Sequence, residues 1–132
     1  SSHRYRSYAL PSLGGRPMLK TKTACADLDL SDFDDLLMQD MESAMKALEP
    51  RIGGKEVAAA SDDADFLREG LEWAESYFAA KGAADAVALA KEGQEHAAKV
   101  TAALAAKDFD AAAAAARGIA KTCRACHDAY RP

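Results

Sequence analysis

Two consecutive helices joined by a very short break are predicted by residues 83–130, AADAVALAKEGQEHAAKVTAALAAKDFDAAAAAARGIAKTCRACHDAY. Alanine and other apolar residues recur through this stretch at the spacing of one helix face. Lys107 and Asp108 interrupt the pattern only briefly. We therefore expect helices over 83–106 and 109–130, packed against each other as an antiparallel hairpin.

Two more helices are predicted upstream, over 32–49 and 63–80, where apolar residues again recur at helical spacing. Ser31 and Asp34 resemble a capping box at the start of the first one. Pro50 and Gly53-Gly54 are expected to end that helix, since proline lacks the backbone N–H that a helix interior uses and glycine is common at helix ends. Four helices with short connections predict an all-α fold, an antiparallel up-down-up-down four-helix bundle.

The composition supports this fold class. Of the 65 apolar residues in the 132-residue chain, 32 are alanine and only 5 are valine or isoleucine. Strands favour β-branched residues, whereas alanine is the best helix former, so a fold built on sheets is excluded. No stretch approaches the roughly 20 continuous apolar residues of a membrane span. The net charge of −4 argues against nucleic acid as the main partner.

The charge is unevenly distributed along the chain. Residues 1–30 carry a net charge of +3, while residues 31–132 carry −7. Prolines and glycines interrupt any periodicity in the first segment. We therefore expect an extended N-terminal arm over 1–30, followed by a four-helix-bundle domain over 31–132. The arm lacks the apolar core of a signal peptide, so we expect a periplasmic protein whose export signal has already been removed.

The last predicted helix carries the sequence of a c-type haem attachment site, Cys123-Arg-Ala-Cys126-His127. Together with Tyr130, these residues have spacings of 3, 4 and 7 and share nearly one helix face. Two thiols so placed can form thioethers with the two vinyl groups of one porphyrin, and His127 can reach the iron. The motif therefore predicts one covalently bound haem c.

Two other interpretations of the paired cysteines have less support in the sequence. A redox dithiol of the thioredoxin type needs a parallel-sheet context, which an all-helical chain lacks. A zinc site needs a second pair of ligands, and the remaining candidates, Cys25, His3 and His96, are widely scattered.

Residues 121–131, KTCRACHDAYR, resemble the C-terminal helix of the class II c-type cytochromes, the cytochrome c′ family. The resemblance covers about residues 31–132. It implies a four-helix bundle whose fourth helix ends in the haem motif. One branch of the family leaves the sixth iron position open to NO or CO, and the other fills it with a methionine from the first helix.

Three methionines, Met38, Met41 and Met45, lie in the predicted first helix. Periodicity places Met41 nearest the centre of the apolar stripe, although all three can be core residues. The resemblance to the low-spin branch favours Met38 as the sixth ligand, with Met41 as the alternative. The antiparallel arrangement also brings the start of the first helix close to His127 at the end of the fourth.

Other polar residues have weaker assignments. We expect Tyr130 to pack near the haem. Arg131 and Arg124 either pair with its propionates or stabilise the helix C-terminus. His96 is expected to be a solvated surface residue, and His3 is a remote alternative ligand. Cys25 is either a free thiol or part of an intermolecular disulfide.

These features predict a soluble monohaem electron carrier rather than an enzyme, because no acid–base pair or second cofactor motif occurs in the sequence. The acidic bundle predicts a redox protein partner with a basic docking face. The alternative is a five-coordinate cytochrome that binds NO or CO at an open distal site. The sequence leaves both a monomer and a homodimer open.

Overall fold

The computed structural model describes residues 29–130, and this part of the chain forms four helices. No strand occurs among these residues, and the predicted all-α fold is confirmed. The helices are α1 (Asp35–Gly53), α2 (Val57–Ala80), α3 (Ala84–Ala105) and α4 (Phe109–Tyr130).

The four helices pack side by side as an antiparallel bundle. Arg51 at the end of α1 pairs with Asp63 near the start of α2, with Nη1 and Oδ2 2.8 Å apart. Tyr130 at the end of α4 donates a hydrogen bond to Asp85 at the start of α3. Each helix packs against the next one along the chain, and α4 also contacts α1 less extensively. The loosest side of the bundle therefore lies between α1 and α4.

The boundaries of α1 differ from the sequence prediction. Asp34 is its N-cap, and its carboxylate accepts a hydrogen bond of 3.0 Å from the N–H of Leu37, so the cap predicted at Ser31 is wrong. Pro50 lies inside α1 rather than ending it, whereas Gly53 is the last helical residue and Gly54 is the C-cap. A proline removes only one backbone donor, and the buried side chain of Ile52 holds the last turn in the core.

The remaining boundaries are closer to prediction, except at the start of α2. This helix begins at Val57, six residues before the predicted position, directly after a turn in which Lys55 has a φ of 59°. It ends before Gly82, whose φ of 76° suits a residue without a Cβ. The bounds of α3 agree with prediction to within one residue, and those of α4 agree at both ends.

The core combines closely packed alanines with one aromatic cluster. Fully buried alanines occur in all four helices, and such small side chains allow the helices to approach closely. The rings of Phe33, Trp73, Tyr77, Phe78 and Tyr130 form a connected cluster, with neighbouring centroids 4.8–6.0 Å apart. This cluster lies at the end of the bundle where α1 begins and α4 ends.

The predicted N-terminal arm lies almost entirely outside the described residues. The division into an arm over 1–30 and a domain over 31–132 therefore stays a prediction. Within 29–130, no helix is both long and apolar enough to cross a bilayer.

Candidate cofactor-binding site

A cavity of about 670 Å³ opens between the first turns of α1 and the last turns of α4. Its volume falls within the roughly 300–1,000 Å³ typical of small-molecule and cofactor sites. Side chains from α2 and α3 complete its walls. It is lined by every predicted site residue within the described part of the chain: Cys123, Cys126, His127, Tyr130, Met38 and the alternative Met41. Arg131 lies outside the described residues.

The motif residues form one wall of the cavity. Cys123, Cys126 and His127 are each half-buried on the inner face of α4. One turn before Cys126, the buried Thr122 also lines the cavity, and its hydroxyl donates to the carbonyl oxygen of Gly118 at 2.9 Å. This bond satisfies the only polar group of that side chain inside the bundle.

Burial makes both thiols poor nucleophiles at neutral pH. It raises the pKa of Cys123 to about 11, with a smaller contribution from the neighbouring Cys126. It likewise raises the pKa of Cys126 to about 11, and the negative charge of Asp85 adds to the effect. Reactive dithiols have lowered pKa values instead. The environment therefore disfavours the redox-dithiol interpretation.

A zinc site is also disfavoured. In the part of the chain that the structure describes, no group of three or more His, Cys, Asp or Glu side chains could hold a metal ion. Both cysteines are free thiols. They are therefore available for thioether bonds.

The part of the cavity wall that α1 forms carries three thioether side chains. Met38, Met41 and Met45 all line the cavity. Met38 and Met45 are half-buried, whereas Met41 is only 5% exposed. The structure therefore brings both Met38 and Met41 to the cavity, and the choice of a methionine ligand stays a prediction.

The remaining lining suits a large planar cofactor with charged substituents. Leu30, Phe33, Leu71, Phe78 and Leu89 provide apolar surface. The exposed charged residues that also line the cavity are Asp35, Glu42, Lys46, Arg124 and Asp128. A pair of thiols, an imidazole, facing thioethers and an apolar interior fit a covalently bound haem. Arg124 lines the cavity, and its pairing with haem propionates stays a prediction.

Tyr130 belongs to both the cavity and the aromatic cluster. Its ring centroid lies 5.1 Å from that of Phe78, and its hydroxyl donates to Asp85 Oδ1. The sequence analysis missed Asp85 as a neighbour of the site. Its position could have been inferred, because an antiparallel α3–α4 hairpin places the start of α3 beside the end of α4.

His96 does not line the cavity, and its environment differs from prediction. The imidazole is 25% exposed and packs on Gly118 of α4, where an added Cβ would lie 2.7 Å from its Nδ1. Its Nε2 lies 3.6 Å from Glu92 Oε2. The histidine therefore lies at the surface as predicted but is only partly solvated, because the glycine leaves room for the ring. His3 and Cys25 lie outside the described residues.

Comparison with known families gives one match. The family model described as Cytochrome C′ matches residues 81–131. This match supports a class II c-type cytochrome. It covers α3 and α4, including both cysteines and the histidine of the motif, and the family implies a covalently bound haem c. No curated protein and no solved structure matches the chain.

Proposed function

We propose that this protein is a monohaem electron carrier in which Cys123 and Cys126 form thioethers to the haem, His127 is the proximal ligand and Met38 is the distal ligand. One observation carries the proposal. The cysteine–histidine motif of α4 and the methionines of α1 line the same cavity.

The bound haem would supply a one-electron iron couple, and the protein residues would set its properties. A methionine thioether favours ferrous iron, so ligation by Met38 raises the reduction potential relative to an open site. The apolar lining from Phe33, Leu71 and Phe78 acts in the same direction, because burial disfavours the extra charge of ferric iron. This arrangement suits electron transfer rather than catalysis.

The proposed partner is a redox protein with a basic docking face. The acidic net charge of residues 31–132 favours such a partner. Long-range attraction between opposite charges raises the association rate, and salt screens it. We propose that this exchange takes place in the periplasm, in agreement with the exported character of cytochrome C′ proteins.

A second candidate function is binding of NO or CO at an open sixth position. The specific observation in its favour is the description of the matching family, Cytochrome C′. The open branch of that family has five-coordinate haem. In this alternative, Met38, Met41 and Met45 serve only as packing residues on the distal wall.

Optical spectra of the purified holoprotein distinguish the two functions. Met ligation is expected to give a sulfur-to-iron charge-transfer band in the ferric protein and a ferrous spectrum that CO leaves unchanged. Met38→Ala is expected to abolish the band and allow CO to bind. Met45→Ala is the matched control and should retain the wild-type spectrum. A high-spin wild-type spectrum that shifts with CO would establish the gas-binding alternative instead.

A further inference from the structure

The thioether end of Met41 lies across the backbone of Gly70, where α1 contacts α2. A Cβ atom added to Gly70 would lie 2.6 Å from Met41 Sδ and 3.0 Å from both Cγ and Cε. Such distances are shorter than packed carbon and sulfur atoms allow. Both residues are buried. Only a residue without a side chain therefore leaves room for the sulfur at this position.

The other side of Met41 faces the cavity. Met41 is one of its lining residues, together with Met38 and Met45, one turn away in either direction along α1. A methionine side chain has three rotatable bonds and adapts readily to the space available. A methyl group at position 70 would therefore displace the Met41 thioether, and the open space available to it is the cavity.

We propose that Gly70 is a positioning residue that holds the Met41 sulfur against α2 and so prevents Met41 from binding the haem iron. Ligation of the iron by Met38 rests on the proposed function, whereas the restraint that Gly70 places on Met41 does not. Periodicity alone favours Met41 as the ligand, because it lies at the centre of the apolar stripe. The contact with Gly70 explains how this central methionine can serve as a packing residue.

The test uses holoproteins in which Met38 is replaced. Met38→Leu is expected to lose the sulfur-to-iron band and bind CO. Met38→Leu/Gly70→Ala is expected to regain the band and lose CO binding, because the displaced Met41 now reaches the iron. Adding Met41→Leu to this double variant should abolish the band again. Far-UV circular dichroism verifies that each variant is folded.

Met38→Leu/Gly118→Ala is the matched control. Gly118 is also a helical glycine in tight contact, but its neighbour is His96 rather than a methionine. This control is expected to remain five-coordinate. If it regains the band as the Gly70 variant does, a general loosening of the bundle explains the effect, and the proposal is overturned.

A second measurement applies if the double variant does not take up haem. Ferrous Gly70→Ala with ¹³C-methyl-labelled methionine should show an additional ring-current-shifted methyl signal that disappears in Gly70→Ala/Met41→Leu. Absence of that signal overturns the proposal. So does a sulfur-to-iron band in Met38→Leu that depends on Met41 while Gly70 is intact.

The proposed function and this inference can fail separately. A five-coordinate wild-type protein refutes Met38 ligation, yet a band gained in Met38→Leu/Gly70→Ala still supports the role of Gly70. The opposite result is a six-coordinate wild-type protein whose band depends on Met38, together with a folded double variant that remains five-coordinate. This result supports the proposed function and overturns the role of Gly70.

Discussion

Tyr130 in the last turn of α4 donates its hydroxyl to Asp85 in the first turn of α3. The same carboxylate oxygen of Asp85 accepts a hydrogen bond of 3.0 Å from the N–H of Ala86. Tyr130 lies three residues after His127, and both residues line the cavity. The hydrogen bond therefore ties the end of the motif-bearing helix to its neighbour, at the wall of the cavity.

Tyr130→Phe is expected to lower the free energy of unfolding by about 1.5–3 kcal/mol, the range for a hydrogen bond to a charged group. The variant keeps the ring against Phe78 but loses a hydrogen bond to a charged acceptor. Urea denaturation of the holoprotein measures the loss. In an Asp85→Ala background the same substitution should have little effect, because the acceptor is already gone. An equal loss in both backgrounds would show that the hydrogen bond contributes nothing.

Cys123→Ala and Cys126→Ala are each expected to leave one thioether bond, whereas the double variant should carry no covalent haem. Mass spectrometry of the denatured protein checks this result. The wild type should have the mass of the polypeptide plus one haem and should keep its colour through acid-acetone extraction. A colourless wild-type polypeptide after extraction would contradict the proposed site.

Met38→Ala is expected to lower the reduction potential, because the ligand that favours ferrous iron is lost. Met41→Ala should instead leave the potential nearly unchanged and lower stability by about 2–5 kcal/mol, as for other large-to-small changes of buried side chains. Redox titration and urea denaturation of both variants separate the two effects. A potential that falls in Met41→Ala and stays constant in Met38→Ala would reverse the assignment.

The spacing of residues predicted most of the fold. The α3–α4 hairpin follows from a short break between two long helical patterns, and its bounds agree closely with the structure. The end of α1 did not follow from the sequence, because Pro50 disfavours a helix locally whereas the buried side chain of Ile52 continues it. Local propensity is overridden where tertiary packing holds a turn in place. Ile52 and the Arg51–Asp63 pair do so here.

The part of the candidate site that lies on a single helix was predictable from the sequence. The part that depends on the packing of two helices was less predictable. Cys123, Cys126 and His127 form a single local motif, so spacing alone placed them together. The choice between Met38 and Met41 depends on what each side chain contacts in α2. Helix periodicity gives the direction of Met41 but not the contact with Gly70. A glycine on the inner face of a helix is the one sequence signal of such a close approach.

The hydrogen bond that the Tyr77 hydroxyl donates to Asp32 is expected to make the free energy of unfolding depend on pH. The Tyr77 hydroxyl lowers the pKa of Asp32, with burial opposing the effect and Lys81 adding to it. A lowered pKa stabilises the fold above the pKa of the unfolded chain, about 3.9, and this stabilisation is lost as the pH falls through the folded value. The wild type should therefore exceed Tyr77→Phe in stability by a constant amount above about pH 5.

Below about pH 4 this difference should shrink. Urea denaturation of both proteins between pH 2 and pH 7, at roughly unit intervals, measures it. Tyr77→Phe/Asp32→Asn serves as the control, and its free energy of unfolding should lack the pH-dependent contribution of the Asp32 carboxylate. A difference that stays constant down to the lowest pH would show that the hydroxyl does not act through the Asp32 carboxylate.

The cavity between α1 and α4 also determines how the molecule responds to compression. Pressure favours the unfolded chain because unfolding eliminates internal voids, and the effect grows with their volume. The fully buried alanines allow the helices to pack closely elsewhere, so the apolar inner part of the cavity of about 670 Å³ supplies such a void. A cofactor that fills this space removes the void. We therefore expect hydrostatic pressure to destabilise the empty bundle more than the loaded one.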